Sequence, residues 1–200
     1  MRVGGFGGVD GLASYLRSER IGAVVDATHP FAATMTANAL AATAATGTPL
    51  IVLRRPGWSE QPGDDWHRVP SMAAAAALVP KLGERVFLTT GRQTIGAFAG
   101  VDECWFLSRS VEPPAAPMPA RLEVVLDRGP FTVESERALL AEHRIDVLVT
   151  KDSGGVAPKL AAARESSIPV LLIDRPPIPT TGEAVATVDA AVAWLLALGR

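Results

Sequence analysis

Four short polar segments, each directly after an apolar run, carry the residues of this sequence that could do chemistry. They are Thr28-His29-Pro30-Phe31, Gly91-Arg92-Gln93, Asp127-Arg128-Gly129-Pro130-Phe131 and Lys151-Asp152-Ser153-Gly154-Gly155. Hydroxyls, glycines and cations in such positions bind anionic ligands through side chains and exposed backbone N–H groups. The last segment gives the strongest signal, because a helix is expected to open at Ser153-Gly154-Gly155 and its N-terminus favours an anion.

Each segment also has a purely structural interpretation. Thr28 is a candidate cap for the next helix, with Pro30 in its first turn, and His29 alone is as readily a structural histidine. Thr90 or Gly91 could simply begin a helix, and the segment from Asp127 has the composition of a turn. The segments therefore indicate an anionic-ligand site only when they are taken together.

The apolar runs that precede these segments predict parallel sheets. Continuous rather than alternating hydrophobicity is typical of strands that are buried on both faces. The expected strands are 23–27, 50–53, 85–90, 104–109, 122–126, 146–150 and 169–174. The expected helices are 11–19, 31–45, 71–79, 132–143, 156–166 and 187–198. This alternation predicts an α/β fold, in which ligands bind at the carboxyl ends of the strands.

Two stretches interrupt the alternation of strands and helices. Residues 54–70 are polar and rich in proline and glycine, which is typical of the approach to an inter-domain connection. Residues 112–121 are proline-rich and predict a surface loop between two strands. We expect a domain boundary near residue 84, giving lobes 1–84 and 85–200, with the last helix a candidate to pack on the other lobe.

The composition of the chain argues against several classes of partner and site. The 200 residues carry a net charge of −2 without any lysine or arginine block, which argues against a nucleic-acid or membrane-surface partner. No apolar run is long enough to cross a bilayer. The single cysteine fits a reducing compartment, so we expect a cytoplasmic protein. The three histidines lie far apart in the chain, and no metal-ligand spacing is present.

The glycine-rich start does not follow the dinucleotide-binding pattern. A G-x-G-x-x-G run that starts at Gly5 would need glycine at position 10, where Asp10 stands.

Four longer sequence segments indicate a particular protein family. GGFGGVDGLASYLRSERIGAVVDATHPFA, RVFLTTGRQ, DRGPFT and LVTKDSGG…KLAAARE…PVLLIDRP occur in this order and closely resemble the precorrin-6A reductases of cobalamin (vitamin B12) biosynthesis. The resemblance covers essentially the whole chain. It implies two Rossmann-like lobes with the active site between them. It also implies an enzyme that uses NADPH, or NADH, to add a hydride and a proton across one carbon–carbon double bond of the precorrin-6A macrocycle, giving precorrin-6B.

The chain departs from the family pattern in three places. Family members are longer at the N-terminus, where a strand and a loop like LLGGTxEA would hold the cofactor's phosphates, so we expect the N-terminal lobe to be incomplete. The family usually has the motif Lys-Asn-Ser-Gly-Gly, in which this chain has Asp152 in place of the asparagine. The segment between this motif and KLAAARE is also short in this chain. The alternatives are a non-catalytic tetrapyrrole- or nucleotide-binding fragment, or an unrelated nucleotide- or sugar-phosphate-binding α/β protein.

The resemblance assigns roles to the loop residues. His29 is the candidate proton donor, with water as the alternative. The candidate cofactor-binding residues are Thr28, Thr90, Gly91, Ser153 and Gly154. The candidate substrate-binding residues are Arg92, Arg128 and Lys151, because precorrins carry many carboxylates and arginine binds carboxylates in a bidentate manner. Lys151 could equally hold a cofactor phosphate. The sequence does not fix the oligomeric state.

Overall fold

The computed structural model describes residues 4–179 and 183–199. In chain order its strands are β1 Val24–Asp26, β2 Leu50–Leu53, β3 Trp66–Val69, β4 Arg85–Leu88, β5 Trp105–Ser110, β6 Leu122–Leu126, β7 Val147–Lys151, β8 Val170–Ile173 and β9 Glu183–Val185. Its α-helices are α1 Gly8–Ser18, α2 Ala33–Thr46, α3 Met72–Leu78, α4 Val133–Glu142, α5 Pro158–Glu165 and α6 Val188–Leu198. Short 3-10 helices cover Val79–Lys81 and Arg92–Phe98.

The chain divides into two compact units. Unit 1 comprises Met1–Gly57 and Pro176–Arg200, and unit 2 comprises Trp58–Arg175. The boundary that the sequence predicts, near residue 84, falls inside unit 2, directly before β4, and stays a prediction about domain organisation. None of the described helices has the length and hydropathy that a bilayer crossing needs.

Unit 1 is built on a parallel sheet with the strand order β1-β2-β9. The C-terminal part of the chain therefore supplies one strand of this sheet, and α6 contacts both β2 and β9. Helices α1 and α2 pack against each other through small and aliphatic side chains. The buried residues of this cluster are Leu12, Ala13, Leu16, Ala39 and Ala42.

Unit 2 is built on a six-stranded parallel sheet with the order β3-β8-β7-β4-β5-β6. The chain runs outward from β4 to β5 and β6, and then returns to the other side of β4 with β7. The strand order thus reverses between β4 and β7, which is the position where open α/β sheets bind ligands. The central strands are buried on both faces, and Val86, Phe87, Leu88, Leu148 and Val149 have no exposed surface.

The predicted α/β class with parallel sheets is confirmed, and each of the seven predicted strands overlaps an observed one. The structure adds β3 and β9, which the sequence does not predict. Within the described residues each of them is an edge strand, pairing on one side only, β3 with β8 and β9 with β2. The two strands read WHRV and EAV, and neither contains the continuous apolar run that identifies the others.

Candidate functional site

The loop after β1 is held by a buried carboxylate. Asp26 is 5% exposed, and its Oδ1 accepts hydrogen bonds from the Thr28 N–H at 3.0 Å and the Thr28 hydroxyl at 2.6 Å. The Thr36 hydroxyl of α2 donates to Asp26 Oδ2 at 2.6 Å. Helix α2 begins at Ala33 without a side-chain cap, so Thr28 serves Asp26 and not the helix. This explains why the strand ends in an acid followed by a hydroxyl.

His29 lies exposed on the same loop. Its Nδ1 accepts a hydrogen bond from the Phe31 N–H at 3.2 Å, and its ring centroid lies 5.8 Å from that of Phe31. Because Nδ1 acts as an acceptor, the neutral imidazole carries its proton on Nε2. The loop therefore presents His29 Nε2 as a donor with a fixed tautomer.

Thr28 and His29 line one cavity of unit 1, of about 210 Å³. Arg54, which directly follows β2, also lines it and donates from Nη2 to the Pro176 carbonyl oxygen at 2.6 Å. Reading the residue after every strand would have found Arg54, because it follows a predicted strand. Thr36 lines the cavity too, but it sits inside a predicted helix and carries no sequence signal of its role.

In unit 2, Thr90 and Gly91 follow β4, at the point where the strand order reverses. Thr90 is 2% exposed, and its buried hydroxyl has no hydrogen-bond partner in the part of the chain that the structure describes. Gly91 has a φ of +85°, and no atom lies within 4 Å of where its Cβ would stand. A buried hydroxyl without a partner next to an open glycine leaves both room and a hydrogen-bonding group for a ligand.

Lys151, Ser153 and Gly154 follow the adjacent strand β7. Lys151 is half-buried, and burial lowers the pKa of its ammonium group. The expectation that a helix opens at Ser153 is wrong, because α5 begins at Pro158. The Ser153 N–H donates instead to the Lys151 carbonyl oxygen at 2.7 Å, so this segment is a turn before the helix.

Asp152, in the same loop, binds other residues of unit 2. Its carboxylate accepts from the Trp58 N–H at 3.0 Å and from Arg68 Nη2 at 3.0 Å, and Arg175 Nη2 lies 3.5 Å from Oδ1. The indole N–H of Trp58 also donates to the Gly155 carbonyl oxygen at 2.7 Å. The negative charge of Asp152 is therefore balanced by Arg68 and Arg175, and the loop is fixed at both ends.

The two predicted arginines lie elsewhere in unit 2. Arg92 begins a 3-10 helix after Gly91 and forms an exposed ion pair with Glu112, with 2.9 Å between Nη2 and Oε2. Arg128 follows β6, two strands away from β4, and lines a different cavity. The strand ends of β4 and β7 thus bring together Thr90, Gly91, Lys151, Ser153 and Gly154, whereas Arg128 lies apart. Among the described residues no cluster of His, Cys, Asp and Glu side chains is suited to a metal ion.

Comparison with known proteins identifies the family. Residues 1–196 match the family described as precorrin-6x reductase CbiJ/CobK. The chain belongs to this family. It is 54% identical to the precorrin-6A reductase of Rhodococcus erythropolis over 202 residues, covering 100% of this chain and 82% of that protein. It is 45% identical to the precorrin-6A reductase of Rhodobacter capsulatus, covering 97% of this chain and 78% of that one.

A solved structure gives the same result for the fold. The chain matches a CobK precorrin-6A reductase with a TM-score of 0.92 and 44% sequence identity, over 100% of this chain and 80% of that one. The resemblance found in the sequence strings is confirmed. The Rossmann-like α/β fold and the assignment to the oxidoreductases are confirmed with it.

The Asp26 network gives a testable prediction. Thr36→Val removes the donor to Asp26 Oδ2 and leaves that buried carboxylate oxygen unsatisfied, so the free energy of unfolding should fall by about 1.5–3 kcal/mol. Thr46→Val on the same helix is the matched control. The Thr46 hydroxyl bonds to uncharged partners, the Ala42 carbonyl oxygen and Thr48, so its loss should lower the free energy by only about 1 kcal/mol. Urea unfolding measures both, and equal losses would contradict the role of Asp26.

Proposed function

We propose that this chain catalyses the reduction of one carbon–carbon double bond of precorrin-6A in cobalamin biosynthesis, with NADPH as the reductant and precorrin-6B as the product. Family membership supports an oxidoreductase that acts on this tetrapyrrole. The observation that carries the proposal furthest is the Thr90 hydroxyl, buried and without a partner among the described residues, at the strand-order reversal of unit 2.

The residues at this reversal fit a nucleotide. Thr90 supplies an unused hydrogen-bonding group, and Gly91 leaves the space beside it open for close approach of a ligand. We assign Thr90, Gly91, Ser153 and Gly154 in unit 2, and Thr28 in unit 1, to cofactor contacts. When bound, the reduced nicotinamide supplies the hydride, and the protein sets the geometry and excludes water. We propose NADPH rather than NADH as the nucleotide that this chain uses.

The cationic side chains are assigned to the carboxylates of the macrocycle. The exposed pair of Arg92 with Glu112 is worth little in water, so an incoming carboxylate can take the place of Glu112. Arg128 is exposed in its loop after β6 and needs no side-chain rearrangement of the core to reach a ligand. Lys151 holds either a substrate carboxylate or a cofactor phosphate.

His29 is assigned as the proton donor. Its Nε2 carries the proton in the neutral form, because Nδ1 accepts from the Phe31 N–H. The reduction needs one proton in addition to the hydride, and His29 Nε2–H can deliver it to the second carbon of the reduced bond. We also place the enzyme in the cytoplasm, since its single cysteine, Cys104, is buried as a free thiol.

Turnover tests the proposal against a non-catalytic binding protein. The purified chain should consume NADPH in the presence of precorrin-6A in a one-to-one ratio, with a product heavier by two hydrogens by mass spectrometry. NADH in place of NADPH tests the nucleotide preference. Binding of the macrocycle without any consumption of either nucleotide would favour the non-catalytic alternative.

The half-buried ammonium of Lys151 predicts a pH dependence of ligand binding. Burial lowers its pKa below the usual value of about 10.4, and anion binding needs the charged form. As the pH rises through this lowered pKa the ammonium is lost, so the KM of the ligand that Lys151 holds should rise at alkaline pH. Lys151→Arg keeps its charge and should lose this rise, whereas Lys151→Met should have a raised KM throughout. The steady-state KM of each substrate shows whether Lys151 holds the nucleotide or the macrocycle, and identical profiles in all three proteins would remove Lys151 from binding.

The exposed arginine pair predicts opposite effects of two substitutions. Arg92→Ala removes a charge-assisted contact and should raise the KM for precorrin-6A about tenfold. Glu112→Ala removes only the competing carboxylate and should leave this KM unchanged or lower it. Both variants should melt like the wild type, because an exposed ion pair contributes little to stability. An unchanged KM for Arg92→Ala would show that this arginine has a surface role only.

A further inference from the structure

A second charged cavity lies in unit 2, beside β5 and β6. It has a volume of about 460 Å³, and its walls come from the ends of these strands, from α4 and from the start of α5. Five charged residues line it: Arg109, Asp127, Arg128, Glu136 and Lys159. Three cations and two carboxylates leave one positive charge in excess. An anionic group would balance this charge.

Arg109 is fixed inside this cavity. Its Nη2 donates to Glu136 Oε1 at 2.6 Å, and the two side chains are 9% and 2% exposed. The guanidinium carbon lies 3.5 Å from the ring centroid of Phe131, which holds the plane of the group. The bond to Glu136 is the single hydrogen bond that the Arg109 side chain makes within residues 4–179 and 183–199. Its other N–H donors therefore remain for a ligand, in the planar arrangement that matches carboxylates and phosphates.

The second oxygen of Glu136 also lacks a partner. Glu136 Oε2 is buried and receives no hydrogen bond from any described residue, which is unusual for a carboxylate in a protein interior. A buried acceptor of this kind needs a donor from the cavity. Of the two cations there besides Arg109, Arg128 is exposed, whereas Lys159 is half-buried and its ammonium interacts with the charge of Glu136.

Lys159 has unused donors. Its Nζ makes no hydrogen bond within the described part of the chain and lies 5.2 Å from the ring centroid of Trp58. Burial lowers the pKa of this ammonium, the charge of Glu136 opposes that change, and the charge of Arg109 adds to it. Three N–H donors allow Lys159 to bond to Glu136 Oε2 and to an added oxyanion at the same time.

We propose that Arg109 and Lys159 form a binding subsite for an oxyanion, a carboxylate of the macrocycle or a phosphate of the nucleotide, and that Glu136 positions both cations. The subsite lies beside β5 and β6 and not at the β4–β7 reversal where a nucleotide is expected, which favours the carboxylate. Naming the macrocycle as the source of the oxyanion rests on the proposed function, whereas the existence of the subsite does not.

Calorimetric titration with inorganic pyrophosphate tests the subsite without any assumption about the reaction. Lys159→Met should lower the affinity about tenfold, whereas Lys159→Arg should retain most of it. Arg137→Met is the matched control, because it removes the same charge from α4, where Arg137 forms an exposed ion pair with Glu165 outside the cavity. Arg109 itself is a poor test position, since its loss leaves Glu136 buried without a counter-charge and unfolds the site.

The two methionine variants distinguish a subsite from a general effect of positive charge. Loss of pyrophosphate binding in Lys159→Met but not in Arg137→Met supports the proposal. Equal affinities in all proteins, equal losses in both variants, or the absence of binding in the wild type would overturn it. Thermal unfolding of each variant shows that the fold is retained.

Titrations with precorrin-6A and with NADPH then identify the source of the oxyanion. About a tenfold loss of affinity of Lys159→Met for precorrin-6A alone assigns a macrocycle carboxylate, and the same loss for NADPH alone assigns a phosphate. Unchanged affinity for both ligands would overturn the assignment of the oxyanion to the macrocycle or the nucleotide. Failure of the wild-type chain to reduce precorrin-6A would count against the proposed function only, because the pyrophosphate result decides the subsite independently.

Discussion

Parallel pairing of β4 with β7 is the constraint on which the candidate site depends. Val86, Phe87 and Leu88 pair with Val147, Leu148 and Val149, and all six side chains are fully buried. About sixty residues of chain separate the two strands, so closing this contact has an entropic cost that grows only slowly with the length of the intervening chain. Burial of both faces offsets that cost. Because the strands are parallel and adjacent, Thr90 and Lys151 necessarily emerge at the same edge.

Buried carboxylates fix two of the loops that follow strands, the loop after β7 in unit 2 and the loop after β1 in unit 1. Asp26 is satisfied by hydroxyl and backbone donors, whereas Asp152 is satisfied by two arginines and a backbone N–H. In each case the acid directly at or after a strand end acts as an internal acceptor. It holds the loop in one conformation, so the neighbouring candidate binding groups are arranged before a ligand arrives. The charge of Asp152 is therefore compensated within the fold itself, by Arg68 and Arg175.

The sequence predicts the interior of this fold better than its edges. All seven strands with apolar runs are predictable, and the pattern is strictest in the central strands, where burial on both faces demands it. The run Trp66–Val69 contains a histidine and an arginine and resembles a connection, since pairing on one side requires no continuous apolar run. The predicted start of α5 is too early, because glycines suggest a helix opening where the backbone forms a turn.

The residues of the candidate sites also differ in how well the sequence predicts them. Residues directly after strands, such as Thr90 and Lys151, are found by a rule that uses chain order alone. Glu136 cannot be found in this way. It looks like an ordinary acidic residue in the first turn of a capped helix, and its burial against Arg109 arises only when α4 packs beside β5.

The contrast between Arg92 and Arg109 shows what this packing adds. Both are arginines paired with a glutamate, but Arg92 is half-exposed to water and Arg109 is almost completely buried. An exposed guanidinium keeps its hydration and its choice of partners, so it discriminates weakly between ligands. The guanidinium of Arg109 is almost completely buried, stacked on Phe131 and bonded to Glu136, so its remaining N–H groups point in fixed directions. A ligand that matches those directions requires little reorganisation of the side chain, which is how a buried pair gives selectivity that an exposed pair does not.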